Sequence, residues 1–277
     1  MKVSLIQTNP GSDKSANLAD AKALMERAIA LDAPDFVMLP EVFDWMGSPG
    51  PDKTQAAEAE RDGPSYRMCQ QVARENRVWV HAGSFRTTIP GEDRCHNTTV
   101  VFNRDGKEVA RYHKIHLFDI TSPDGASYRE SATFRPGENI VTYDCEGVTV
   151  GCAICYDVRF PELFQALMRR GAKIIALPAA FTQQTGMDHW EVLCRARAIE
   201  TETYFLACGM TGTFQHGTER RATYGNSLVV DPWGHVIAKA SNGVGHVSAR
   251  LDLDRVARVR AQIPVAEHKA VGTRIPL

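Results

Sequence analysis

Short, largely apolar runs that end abruptly at a proline or a polar turn constrain this chain most. Residues 36–39 run into Pro40-Glu41, 148–155 into Tyr156-Asp157, and 173–177 into Pro178. Runs of this length without polar alternation read as strands covered on both faces. Segments of helical spacing lie between them. In 13–31, capped by Ser12 or Asp13, residues Leu18, Ala21, Leu24, Met25, Ala28 and Ile29 share one face. Pro64 opens a helix over 64–76. Further helices are expected over 161–171, stopped by Gly171, over 187–203 and over 252–261. Residues 2–7 and 78–87 read as strands. Hairpins are expected at 98–102/108–112, around Asn103-Arg104-Asp105-Gly106, and at 227–230/236–240, around Asp231-Pro232-Trp233-Gly234. Residues 119–139, with Pro123, Gly125, Pro136 and Gly137, read as loop.

A faint internal repeat organises these elements. Asp35-Phe36-Val37-Met38-Leu39-Pro40 resembles Lys173-Ile174-Ile175-Ala176-Leu177-Pro178, and Asn97-Thr98-Thr99-Val100-Val101 resembles Asn226-Ser227-Leu228-Val229-Val230. Each half reads strand, helix, strand, hairpin. That order suggests mixed sheets covered by helices. Two such halves stacked sheet on sheet give an α/β fold of α-β-β-α sandwich type. No linker divides the 277 residues, so one domain is expected over 1–277, with a C-terminal tail from about 265.

Composition excludes several classes. With 32 basic against 33 acidic residues, net charge −1, no excess of positive charge is left to neutralise nucleic-acid phosphates. No apolar run approaches the roughly 18 residues of a membrane span, and the first residues lack a signal-peptide pattern. Seven cysteines, an odd number scattered through apolar segments, fit reduced thiols better than a disulfide framework. A cytoplasmic location is the expectation.

Four side chains are candidates for chemistry. Cys155 ends an apolar strand and leads into a helix, where backbone N–H groups and the helix dipole are expected to lower a thiol pKa and stabilise an oxyanion. A buried core cysteine is the ordinary alternative. With Cys152 it also forms a CxxC, a weak redox signal within a strand and no zinc site without a second pair. Strand alternation would place the two sulfurs on opposite faces. Glu41 follows 36–39 at a strand end, the position of a general base or of a solvated loop carboxylate. Lys114, flanked by apolar residues, is either an oxyanion donor or an edge-strand lysine. Glu130 has the least support from its own surroundings. His113 and His116 are too sparse for a metal site.

In this order the segments Leu39-Pro40-Glu41, 112–118 around Lys114, and Gly151-Cys152-Ala153-Ile154-Cys155-Tyr156-Asp157 onward to Glu162 resemble the nitrilase, or carbon–nitrogen hydrolase, superfamily. The resemblance runs from Lys2 to about Pro264. It implies an α-β-β-α sandwich that forms a homodimer or higher homo-oligomer, and hydrolysis of non-peptide C–N bonds without cofactor or metal. Glu41, Lys114, Cys155 and Glu130 fall on its catalytic positions. Tyr156-Asp157 after the cysteine, together with 186–200 and 221–234, is similar to the branch acting on deaminated glutathione and to ω-amidases of 2-oxo-dicarboxylate monoamides. The implied reaction releases ammonia from a carboxylate-bearing amide through a thioester. Tyr156 supplies an oxyanion N–H, Arg159 is the candidate for the substrate carboxylate, and Phe181 and Thr182 are expected in the pocket. Arg159 has an ordinary alternative, a salt bridge to Asp157 or Glu162. Residues 182–186 and 213–217 depart from the branch. An N-carbamoyl amino acid hydrolase and a non-enzymatic scaffold of the same fold are the alternatives.

Overall fold

The computed structural model describes residues 1–47, 56–121, 125, 127–271 and 273–274. Its strands in chain order are β1 (Lys2–Gln7), β2 (Phe36–Met38), β3 (Trp79–His81), β4 (Phe85–Thr88), β5 (Cys95–Phe102), β6 (Glu108–His113), β7 (Asp119–Thr121), β8 (Ser127–Arg129) and β9 (Thr142–Cys145). Then come β10 (Val148–Cys152), β11 (Ile174–Ala179), β12 (Tyr204–Gly209), β13 (Thr211–His216), β14 (Glu219–Tyr224), β15 (Leu228–Val230), β16 (Val236–Lys239) and β17 (Gly245–Arg250). The helices are α1 (Lys14–Asp32), α2 (Pro64–Asn76), α3 (Pro161–Arg169), α4 (Gln183–Thr201), α5 (Asp254–Gln262) and α6 (Val265–His268).

Two mixed sheets form the centre. The first runs β17-β1-β2-β3-β5, with β4 and β6 also on β5; the second runs β9-β10-β11-β12-β15-β16. In each, three parallel strands (β1-β2-β3 and β10-β11-β12) are flanked by antiparallel ones. The two orders correspond strand for strand: β17 to β9, β1 to β10, β2 to β11, β3 to β12, β5 to β15 and β6 to β16. The sequence echoes fall on β2/β11 and β5/β15. Even the register break recurs, at Val101/Phe102 and at Val229/Val230.

Alternation along the strands sorts the layers. Val3, Leu5, Phe36 and Met38 join the core between the sheets, while Ile6, Val37 and Leu39 pack under α1 and α2 with Met25, Cys69 and Val72. Across the gap the Cys208 thiol reaches the carbonyls of Ile6 and Met38, at 3.1 and 3.3 Å. Helices α3 and α4 cover the second sheet through Phe164, Leu167, Trp190 and Cys194. The result is the four-layer α-β-β-α sandwich.

Several boundaries differ from expectation, for identifiable reasons. The 78–87 run splits at Gly83, whose φ is +51° and where a Cβ would lie 2.1 Å from the Pro40 carbonyl oxygen. That close approach seats the turn carrying Glu41. The 148–155 strand stops at Cys152, so alternation no longer governs Cys155. The expected loop at 119–139 holds the hairpin β7/β8 and a 3-10 turn, Glu130–Ala132; its Pro123 lies outside the described residues. Helix α4 begins at Gln183, and β9, β13, β14 and β17 were not legible as strands. Within the expected tail, α6 is a single turn; residues 272 and 275–277 lie outside the described residues.

Candidate active site

The C-terminal ends of the parallel strands converge where the two sheets meet. Glu41 follows β2, Cys155 follows β10, and Ala180 follows β11. Strand β6 runs in the same sense and delivers Lys114 one residue beyond its end, where the Lys114 N–H donates to the Asn97 carbonyl at 2.9 Å. Glu130 arrives from the β8 turn and accepts the Phe118 N–H at 2.6 Å.

These groups form one buried cluster. Lys114 Nζ donates to Glu41 Oε1 at 2.8 Å and to both Glu130 oxygens at 2.9 Å. Asn97 Nδ2 donates to Glu41 Oε1 at 2.9 Å and to Glu130 Oε1 at 3.4 Å. The Ala180 N–H donates to Glu41 Oε2 at 2.8 Å. Lys114 is 2% exposed, Glu41 4% and Cys155 7%, so the cluster operates at low effective dielectric, where each charge acts strongly. A cavity of about 340 Å³ opens onto it.

Burial disfavours the charge on Lys114, but Glu130 and Glu41 outweigh it and hold the ammonium well above the ordinary lysine range. Glu130 is pushed up by burial, with Lys114 opposing. The Cys155 thiol is pushed well above its ordinary range, first by burial and then by the negative charge of Glu41. This reverses the expectation of a lowered thiol pKa. Cys155 starts a 3-10 turn, Cys155–Arg159, with φ +46°, and α3 begins only at Pro161. The helix dipole is therefore remote, while Glu41 is adjacent. The resting group is a neutral thiol beside a carboxylate.

The carbon-nitrogen hydrolase family profile matches residues 2–261. The chain belongs to this family. It is an amide-cleaving carbon–nitrogen hydrolase of the nitrilase superfamily. It is 39% identical over 267 residues to the deaminated glutathione amidase of a Synechocystis strain, covering 95% of this chain and 96% of that one. It is 34% identical to the omega-amidase NIT3 of Saccharomyces cerevisiae, covering 97% and 93%. The crystal structure of yeast Nit3, a member of branch 10 of the nitrilase superfamily, superposes with a TM-score of 0.85 at 31% identity over 97% of this chain and 96% of that one. The Caenorhabditis elegans NitFhit protein superposes at 0.89 with 35% identity over 97% of this chain, which spans 64% of that longer protein.

The remaining expected residues of this hydrolase divide. Tyr156, Phe181 and Thr182 line the cavity. Phe181 packs on Trp190 at 4.9 Å, and Thr182 sits at the N-cap position of α4 without a side-chain bond to the helix backbone, its hydroxyl 2.7 Å from that of Thr185. Arg159 borders two of these lining residues, Tyr156 and Phe181, at the edge of the cavity. Its guanidinium lies 5.9 Å from the Tyr156 ring and 5.6 Å from that of Phe181, and its Nη2 is 3.3 Å from His189 Nδ1. The alternative salt bridge to Asp157 is not made. Asp157 is fully buried and accepts from Tyr112 Oη, His116 N and Nδ1, and Ile154 N at 2.7–3.0 Å. It thereby staples the segment carrying Lys114 to the turn carrying Cys155.

Sequence reasoning missed Asn97, Arg86, Trp45 and Phe134 in the lining. An asparagine just before the Thr98–Phe102 run was the one available signal for Asn97. The departing segments do reach the cavity, through Thr182 and Thr185 in the first and Phe214 in the second; Arg221 and Thr223 line it from the segment similar to the branch.

Proposed function

We propose that this hydrolase cleaves the amide of a small carboxylate-bearing substrate through a Cys155 thioester. The observation that carries the reading is the Lys114 ammonium held between two buried carboxylates beside the Cys155 thiol. Cys155 Sγ attacks the amide carbon as Glu41 takes its proton. The oxyanion is held by Lys114 and the Tyr156 N–H. Glu41 returns the proton to the departing nitrogen as the C–N bond breaks. Glu41 then deprotonates a water that attacks the thioester carbon, and the proton returns to the thiolate. Glu130 orients Lys114. A positioned base is worth about 10²–10⁴ in rate, and an oxyanion donor about 10²–10³.

The relatives' substrates point to a 2-oxo-dicarboxylate acyl group, carried either as its monoamide or within deaminated glutathione. The leaving group is ammonia in the first case and the cysteinyl amine in the second. A product-release panel of α-ketoglutaramate, deaminated glutathione, an N-carbamoyl amino acid and a nitrile tests the reading. Turnover of the first two is expected. Preferred turnover of the carbamoyl compound, with carbon dioxide released, would replace it.

The reading extends to context. The chain forms a single hydrolase domain. Seven free, buried cysteines fit the reducing cytoplasm, and no described helix is long and apolar enough to cross a membrane. An exposed apolar stripe of Val192 and Ile199 on α4, with Trp233 and Ile237 beside it, supports a homodimer face.

A further inference from the structure

A second cavity, of about 370 Å³, lies between the segment that leaves β1, one face of α1 and the turn after Glu41. It shares no lining residue with the cavity at Cys155. Its floor is buried: Phe43 is 0% exposed and Thr8 4%. The Thr8 carbonyl accepts the Thr211 N–H at 2.9 Å, but the Thr8 hydroxyl is buried with no partner among the described residues. A buried hydroxyl in that state is unfavourable until a ligand takes its hydrogen bond.

The rim carries two opposite charges. Asp20, Leu24 and Arg27, spaced by four and three residues, share one face of α1 and line the cavity. Asp20 and Arg27 are exposed, and neither makes a hydrogen bond or ion pair among the described residues. Their neighbours on the helix are committed. Lys14 pairs with Asp44 and Glu58 at 2.9 and 2.6 Å. Asn17 accepts the Gly11 N–H and donates to the Gly11 and Asp44 carbonyls at 2.8–2.9 Å. Asp20 and Arg27 are two turns apart, about 10 Å along the axis, and an arginine side chain leans toward the helix N-terminus, which narrows that gap. A simple anion would face Asp20, and a simple cation would face Arg27. A ligand carrying both charges satisfies both, and Pro10, Leu24 and Phe43 give its remainder an apolar wall.

We propose that this cavity binds a zwitterionic aliphatic α-amino acid. The carboxylate lies on Arg27, the ammonium donates to Asp20 and to the Thr8 hydroxyl, and the side chain covers Phe43. The site is independent of the Cys155 chemistry and of the amidase reading.

The test is calorimetry on the full chain with L-leucine, isocaproate, which lacks the ammonium, and isopentylamine, which lacks the carboxylate. L-Leucine should bind with a Kd of about 1 mM or tighter. Each truncated compound should bind at least about tenfold more weakly, as for losing hydrogen bonds between charged groups. Arg27→Gln and Asp20→Asn should each weaken L-leucine about tenfold. Thr8→Val, which keeps the shape and removes the hydroxyl, should weaken it about fivefold. Circular dichroism checks that each variant is folded. Absence of saturable L-leucine binding overturns the proposal. So does binding undiminished in Arg27→Gln and Asp20→Asn, which would place the amino acid elsewhere, the Cys155 cavity included. Isocaproate binding more tightly than L-leucine would make the cavity a plain anion site and also overturn it.

Discussion

The two sheets share a strand order but not a chemistry. The first supplies Glu41 past β2, Lys114 past β6, and Asn97 in β5, which binds both carboxylates; Glu130 joins them from the turn after β8. The second supplies the sulfur, the Ala180 N–H that fixes Glu41 Oε2, and the Phe181 wall. Matching topology therefore gives two equivalent scaffolds, while the residues at the strand ends make one half the acid–base device and the other the nucleophile carrier. Neither half holds a complete site.

The largest expected effect removes the second sheet's contribution. Cys155→Ala should reduce turnover by at least about 10⁴-fold with the fold retained, checked by product release alongside circular dichroism; residual turnover above background would mean that the sulfur is not the nucleophile. Next is the first sheet's contribution. Glu41→Gln should cost about 10²–10⁴ in kcat. It should also let the Cys155 thiolate appear at lower pH, because the carboxylate charge that holds the thiol up is gone. Alkylation rate against pH measures this, and coincident profiles for variant and wild type would show that the two halves do not communicate through Glu41.

The staple between the halves comes third. Asp157→Asn turns an acceptor of four donors into a mixed donor–acceptor, at a cost of about 1–3 kcal/mol. Urea unfolding should show that loss, and kcat should fall with it as Lys114 and Cys155 drift apart. The last effect, confined to acid pH, concerns His81, buried in the first sheet with neither ring nitrogen partnered and its pKa pushed down to about 3 by burial. The unfolded chain binds a proton near pH 6.5 that the folded chain refuses, so stability is present above that pH and is lost as pH falls toward 3. The slope is about 1.4 kcal/mol per pH unit. His81→Leu should flatten the loss between pH 7 and 5 in denaturation curves, and an unaltered slope would assign it to other groups.

Glu41, Cys155 and Lys114 were legible because each directly follows a strand with a strong local signature, and the resemblance tied them together. Asn97, Arg86, Trp45 and Phe134 were not, because their roles depend on contacts between distant segments; Asn97 meets a carboxylate 56 residues away. Strands β13 and β14 escaped notice because one flank borders the cavity and the rest is polar, which erases the apolar pattern. The direction of the Cys155 shift was misread for the same reason: turn geometry is local, but the charge that governs the sulfur comes from the other sheet.

The pairing of β1 with β17 joins Lys2 to Arg250 and leaves that edge of β1 uncovered until residues 245–250 have been made. On the ribosome, all four cluster side chains are synthesised well before the strand that closes the edge beside β1. The nascent chain must therefore wait for that late segment to emerge, and a truncation that removes it would release β1, more than 200 residues earlier in the sequence.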